Sequence, residues 1–228
     1  MQKLLDLVYS TDLSQWSQRA QEAFSELFGS SGGRFPAAAE KTVTLRAPEM
    51  SGKGVQFAAL IDPSNPTSGP YGGTSFVLFP NEHSPCLIAM VVGTQGLSPD
   101  EEILSRPGHA RRVTAISRWL NHKYGHGNIV AWSKHDPTRI DLDIPQNIIT
   151  SFDGHVEALK RYGKVIYGMF APGEDREATA EALKAMLDLT MRERGHVPLT
   201  MHSRDSSRIE TSYLAHLLPS FSREEIAS

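Results

Sequence analysis

The sequence predicts a mixed α/β or α+β domain whose central, partly antiparallel sheet is covered by helices. Three observations carry that expectation. Apolar residues recur every three or four positions near the N-terminus and in the final third. Four short apolar or alternating runs fill residues 41–92, and only PNEHSP (80–85) separates the last two.

Residues 2–9 (QKLLDLVY) form the first expected helix. A second lies in LSQWSQRAQEAFSELF, where Leu13, Trp16, Ala20, Phe24, Leu27 and Phe28 share one face, and GSSGG at 29–33 ends it. From Lys41 the period falls to two: KTVTLRA sets Val43 and Leu45 against Thr42, Thr44 and Arg46. GVQFAALI, TSFVLF and CLIAMVV follow as strands, and NEHSP is short enough to close a hairpin between the last two. The near-continuous apolar character of 86–92 marks a central strand with both faces covered.

Ser98 followed by Pro99, Asp100, Glu101 and Glu102 is a helix opening, since the hydroxyl caps free amides and the acids suit the positive helix end. Pro107 and Gly108 interrupt, and another helix runs from His109 to Lys123 with Val113, Ile116, Trp119 and Leu120 inward. GHGNIVAW contributes a short strand, and TRIDLDIP alternates Ile140, Leu142 and Ile144 against Arg139, Asp141 and Asp143 as an exposed or edge strand. RYGKVIYGMF is the last strand. GEDREATAEALKAMLDLTMRERG is a long helix, with Ala178, Leu183, Met186, Leu187 and Thr190 on its apolar side and Arg192 and Arg194 near its C-terminal end. Residues 1–200 are expected to form one domain opened by a helical pair, and 201–228 a tail, small helix or linker.

A chain of 228 residues with 39% hydrophobic and 21% charged residues can bury a large core, which sets disorder aside. The net charge of −3 excludes a uniformly basic nucleic-acid coat but not a local basic face. The single cysteine, Cys86, can form no intrachain disulfide and reads as a small buried hydrophobe. The N-terminus lacks the apolar core and cleavage site of a signal peptide, and no run approaches the length of a membrane span, so a cytoplasmic location without membrane association is expected.

Catalytic motifs are missing. MSGKG lacks the first glycine and the hydroxyl of a phosphate loop, and GxSxG and HExxH are absent. His122 and His126 stand four apart but lack the motif's glutamate, and Asp141 and Asp143 are explained as strand residues. No catalytic residue, metal site or cofactor is therefore expected. The positive signal is charge: Arg106, Arg111, Arg112, Arg118, Lys123, Lys134 and Arg139 face one acid, Asp136, giving residues 106–139 a balance of +6. Trp119, Tyr124 and Trp132 are interleaved with them. Such a segment can hold phosphates through its cations while an exposed aromatic ring stacks on a base.

The succession AALIDP (58–63), a polar loop containing Tyr71, SFVLF (75–79) and LIAMVVGT (87–94) resembles the N-terminal DNA-reading domain of McrB-type modification-dependent restriction proteins. Asp62 and Pro63 match the pair that ends a strand there, Tyr71 falls near an aromatic position, and Gly93 matches a terminal glycine. Gly72, Gly73 and Thr74 depart from the more aromatic or aliphatic residues of that family. The resemblance implies a noncatalytic module that binds double-stranded DNA in a restriction or antiviral defence system, reads a modified or flipped base, and works with an AAA+ motor. On that reading Tyr71, Trp119 and Trp132 are the base-binding candidates, and the seven cations are the phosphate contacts. Two other readings stand beside it. One is a protein-interaction module using the helix at 109–123 and the apolar island at 213–218; the other is a hydrolase using His and Asp residues of 122–143.

Overall fold

The computed structural model describes residues 1–29, 32–49, 54–69, 71–93 and 107–218. Its spine is a six-stranded sheet of β1 (Thr44–Arg46), β2 (Ala58–Ile61), β3 (Thr74–Phe79), β4 (Leu87–Val92), β5 (Ala131–Ser133) and β6 (Ile166–Phe170), ordered β1-β2-β3-β4-β6-β5. Every pairing is antiparallel. The expected hairpin is present, with Phe79 opposite Leu87 and Thr74 opposite Val92. β4 is central as expected, lying between β3 and β6 with five of its six residues buried.

Because side chains alternate across a strand, the sheet divides the core in two. Ala58, Leu60, Phe76, Leu78, Ile88 and Met90 point into the larger half, which we call the upper core. There they meet α1 (Gln2–Val8), α2 (Trp16–Ser25), α3 (Ala37–Glu40), α4 (Pro107–Tyr124), α7 (Arg176–Glu193) and α8 (Thr200–Leu214). Ala59, Ile61, Val77, Phe79, Leu87, Ala89 and Met169 point the other way, against α5 (Gln146–Ser151) and α6 (Val156–Tyr162). Cys86 is fully buried at the start of β4, where burial pushes its thiol up to about 12 and so keeps it protonated.

The helices form where the apolar spacing places them. Trp16, Ala20 and Phe24 of α2 are buried on one stripe, as are Val113, Ile116, Trp119 and Leu120 of α4. Gly168 lets α4 approach β6, because a Cβ there would stand 2.7 Å from Val113 Cγ1. α7 is capped by Asp175, whose carboxylate accepts from the amides of Glu177 (2.8 Å) and Ala178 (3.1 Å). β5 is an edge strand, and Asn121 of α4 satisfies it: its Oδ1 accepts from the amides of Val130 and Ala131, and its Nδ2 donates to the Ala131 carbonyl.

One expected strand does not form. Residues 138–145 are turns and irregular chain, with Ile140 and Leu142 exposed and Ile144 buried. The cause is Lys134, only 6% exposed, whose ammonium donates to the carbonyls of Arg139 (3.1 Å), Leu142 (3.2 Å) and Lys164 (2.7 Å). Two of those oxygens would be needed by a ladder through 138–145. Asp136 caps Thr138, and Arg139 pairs with Asp141 two residues on, which further curls the segment.

Replacing Lys134 with Met leaves three carbonyls without their charged donor, so it should lower unfolding stability by about 2–4 kcal/mol. Urea denaturation checks this. A loss below about 0.5 kcal/mol, the scale of an ordinary surface change, would mean that the ammonium does not hold the segment.

Candidate nucleic-acid interface

The basic stretch of the sequence folds into α4, β5 and the turn after it, and its cations meet different fates. Lys134 is spent on backbone carbonyls. Lys123 lies 2.8 Å from Glu181, Arg112 is 3.8 Å from Glu210, and Arg139 is paired with Asp141. Arg111 and Arg118 remain. Both are exposed, seven residues apart on α4, and neither has a carboxylate partner among the described residues. Arg118 makes one long contact, 3.5 Å, to the His216 carbonyl. The phosphate contact expected of Arg106 and the helix opening expected at Ser98 lie outside the described residues.

Seven residues of helix span about 10 Å, two turns, so the two guanidinium groups point the same way. Exposed His122 continues the stripe one turn further and packs against His216, with ring centroids 5.1 Å apart. Burial, then the charges of His122 and Arg118, lower the pKa of His216, so at neutral pH this end of the stripe is not made more cationic by it.

Internal ion pairs hold the helix in place. Glu181 of α7, with 2% of its side chain exposed, accepts from Lys123 Nζ of α4 (2.8 Å), Tyr124 Oη of α4 and Arg208 Nη1 of α8 (2.7 Å). Burial alone would raise its pKa, but these three donors outweigh it and hold the carboxyl below the ordinary 4.5. The same contact and burial raise the Tyr124 phenol, keeping it a donor. At the other end of α4, buried His109 sits between Glu193 (3.2 Å) and the Tyr167 hydroxyl (3.1 Å).

The three aromatic candidates do not converge. Trp119 is 4% exposed, lies in the upper core, and is tilted against Tyr213 with centroids 6.5 Å apart. Tyr71 and Trp132 pack against the lower core, on the opposite side of the sheet. One pocket walled by all three is excluded by this placement. Tyr71 and Trp132 are both half-buried, and Trp132 belongs to the edge strand β5.

Tyr71 sits on a built loop. Asn65 bridges its ends, donating to the carbonyls of Asp62 (3.2 Å) and Gly72 (3.0 Å) and accepting from the Gly72 amide (2.7 Å). Asp62 accepts from the amide and hydroxyl of Ser64, and the Gly93 amide donates to Gly73. The glycine at 93 has a steric reason, because a Cβ there would stand 2.1 Å from the Tyr71 carbonyl oxygen. No sequence rule marked Asn65 or Asn121 as an anchor: Asn65 stands in the loop after β2, and Asn121 inside the helix that precedes β5.

For the hydrolase reading, the histidines and aspartates of 122–143 are scattered. His126 is an exposed turn residue with φ 47°, and Asp141 is engaged by Arg139. No group of three or more His, Cys, Asp or Glu side chains among the described residues could hold a metal ion, and no described helix is long and apolar enough to cross a membrane. No family model, curated protein or solved structure matches this chain.

Glu181 supplies the pH test. Its folded pKa is depressed, so it contributes stability that is full above 4.5 and is lost as pH falls through the lower folded value. Glu181→Gln should cost about 1–3 kcal/mol at pH 7 and flatten the loss of stability below pH 4.5. Thermal unfolding between neutral and acid pH measures both. An unchanged acid slope would remove Glu181 as the contributor.

Proposed function

We propose that the chain is a noncatalytic DNA-binding specificity module of a restriction or defence assembly, holding duplex phosphates on the exposed face of α4. The observation that carries this reading is the pair Arg111 and Arg118, two exposed guanidinium groups on one helix face without carboxylate partners among the described residues. Arginine presents a planar fork of donors that suits phosphate, and each phosphate neutralised releases counterions. The resemblance of residues 58–94 to McrB-type DNA-reading domains supports duplex DNA as the ligand and a motor elsewhere in the assembly.

Base reading, in this proposal, belongs to the lower face through Tyr71 and Trp132. Trp132 lies on the edge strand β5, and Tyr71 just before β3. Stacking on an aromatic ring is worth about 1–3 kcal/mol per base whatever the base, so selectivity comes from which base is extruded to reach the ring and from contacts to its edge. A protein-interaction role is the second reading, favoured by Val197 and Met201, which are 60% and 63% exposed near the start of α8.

Fluorescence anisotropy with modified and unmodified duplexes at two salt concentrations separates the readings. The double variant Arg111→Ala, Arg118→Ala should weaken binding to every duplex and reduce the slope of log K against log salt by about 1.8. Tyr71→Ala should weaken only the preferred duplex, by about tenfold or more. An unchanged salt slope in the double variant would sink the α4 assignment, and no binding at low salt would favour the protein-interaction reading.

A further inference from the structure

On the lower side of the sheet, at the end away from Tyr71, a cavity of about 160 Å³ lies between the end of β3 and the turn that leads into α6. That volume is close to the roughly 150 Å³ of a cavity known to admit one benzene ring. Val55, Phe79, Pro80 and Val156 give it apolar walls. His155, only 7% exposed, lines it, and its imidazole has no hydrogen-bond partner among the described residues. Because its ring nitrogens are not sealed in the packed core, a ligand in the cavity can supply the partner they lack.

A second polar atom nearby is also left without a partner. Ser84 Oγ is buried without a hydrogen bond and stands 3.4 Å from where a Cβ on Gly154 would be. Gly154 itself lines the cavity, and its carbonyl is held by the Asn81 side chain. The charges at the rim have one sign. Asp153 and Glu157 line the cavity with no lysine or arginine among the lining residues, and Glu157 is paired with Lys160 at 2.9 Å. Asp153 is thus the carboxylate available to a ligand.

We propose that this cavity binds a small organic cation built on one ring, an aryl amine or amidine, with the ring against Phe79 and Pro80 and the cationic group shared between His155 and Asp153. An anion is disfavoured by the same carboxylates. Burial lowers the His155 pKa to about 4 against the opposing pull of Asp153, so the imidazole is neutral near pH 7 and one ring nitrogen can accept from the cation. The site lies across the sheet from Arg111 and Arg118 and is independent of the DNA-binding reading.

Benzamidine is the probe, with benzoate and benzyl alcohol as controls of similar size, titrated into the ¹⁵N-labelled full chain and followed by amide chemical shifts. Saturable benzamidine shifts confined to residues 55, 79–81 and 153–158 are expected, with a dissociation constant on the order of 1 mM. Benzoate should give none. His155→Leu should weaken benzamidine about tenfold, and Asp153→Asn, an exposed change that leaves the fold intact, should abolish its advantage over benzyl alcohol. Absent or surface-wide shifts, equal binding of benzoate, or an undiminished advantage in Asp153→Asn would each overturn the proposal, whether or not the His155 variant folds.

Discussion

Two buried carboxylates on α7 organise the upper half of the molecule. Glu181 and Asp188 are seven residues apart on one stripe, and neither can stay charged in the core without donors. Glu181 draws in Lys123 and Tyr124 from α4 and Arg208 from α8. Asp188 takes both forks of Arg34 at 2.6 Å, with the arginine side chain wholly buried, and the hydroxyl of Ser206. The segment after α2, α4 and α8 are thereby tied to α7, and Lys184 and Arg34 both reach Asp205 Oδ2. Breaking the Arg34–Asp188 pair on one side costs about 3–5 kcal/mol, because Arg34 then stays buried and charged, whereas Lys123 and Arg208 around Glu181 can turn to solvent.

That arrangement also decides what the surface offers. α4 carries a dense set of cations, yet Lys123 and Arg112 face inward partners, while Lys134 in the turn beyond β5 is absorbed by carbonyls. The positive face is accordingly narrower than the local balance of charge implies, and it is concentrated on Arg111 and Arg118. The sheet separates this face from Tyr71 and Trp132, so the phosphate and base contacts proposed above fall on opposite sides of it.

Much of the architecture was legible because it rests on periodicity. The stripe of α4, the apolar runs of β2 to β4 and the β3–β4 hairpin follow from apolar spacing, run length and turn length. What escaped depends on single polar side chains reaching across the chain. TRIDLDIP has strand alternation, but a lysine four residues before it captures its carbonyls. The helix Thr200–Leu214 has a thin buried stripe, Ser206, Ile209 and Tyr213, and is held instead by ion pairs to α7 and α4. For the site, the segment rich in cations was visible, but its division into engaged and free arginines was not. One clue was present in EALKAMLD, where Glu181 and Asp188 occupy positions in register with Ala178 and Ala185 on an otherwise apolar face.

The central claim is that the exposed α4 face, and not the basic segment as a whole, meets DNA. Side-chain Nε–Hε resonances of the arginines, followed during titration of the full chain with a short duplex at low salt, test it most directly. The account predicts shifts at Arg111 and Arg118 with Arg34 and Arg139 unmoved. Shifts spread evenly over all exposed arginines, or none at any of them, would contradict it.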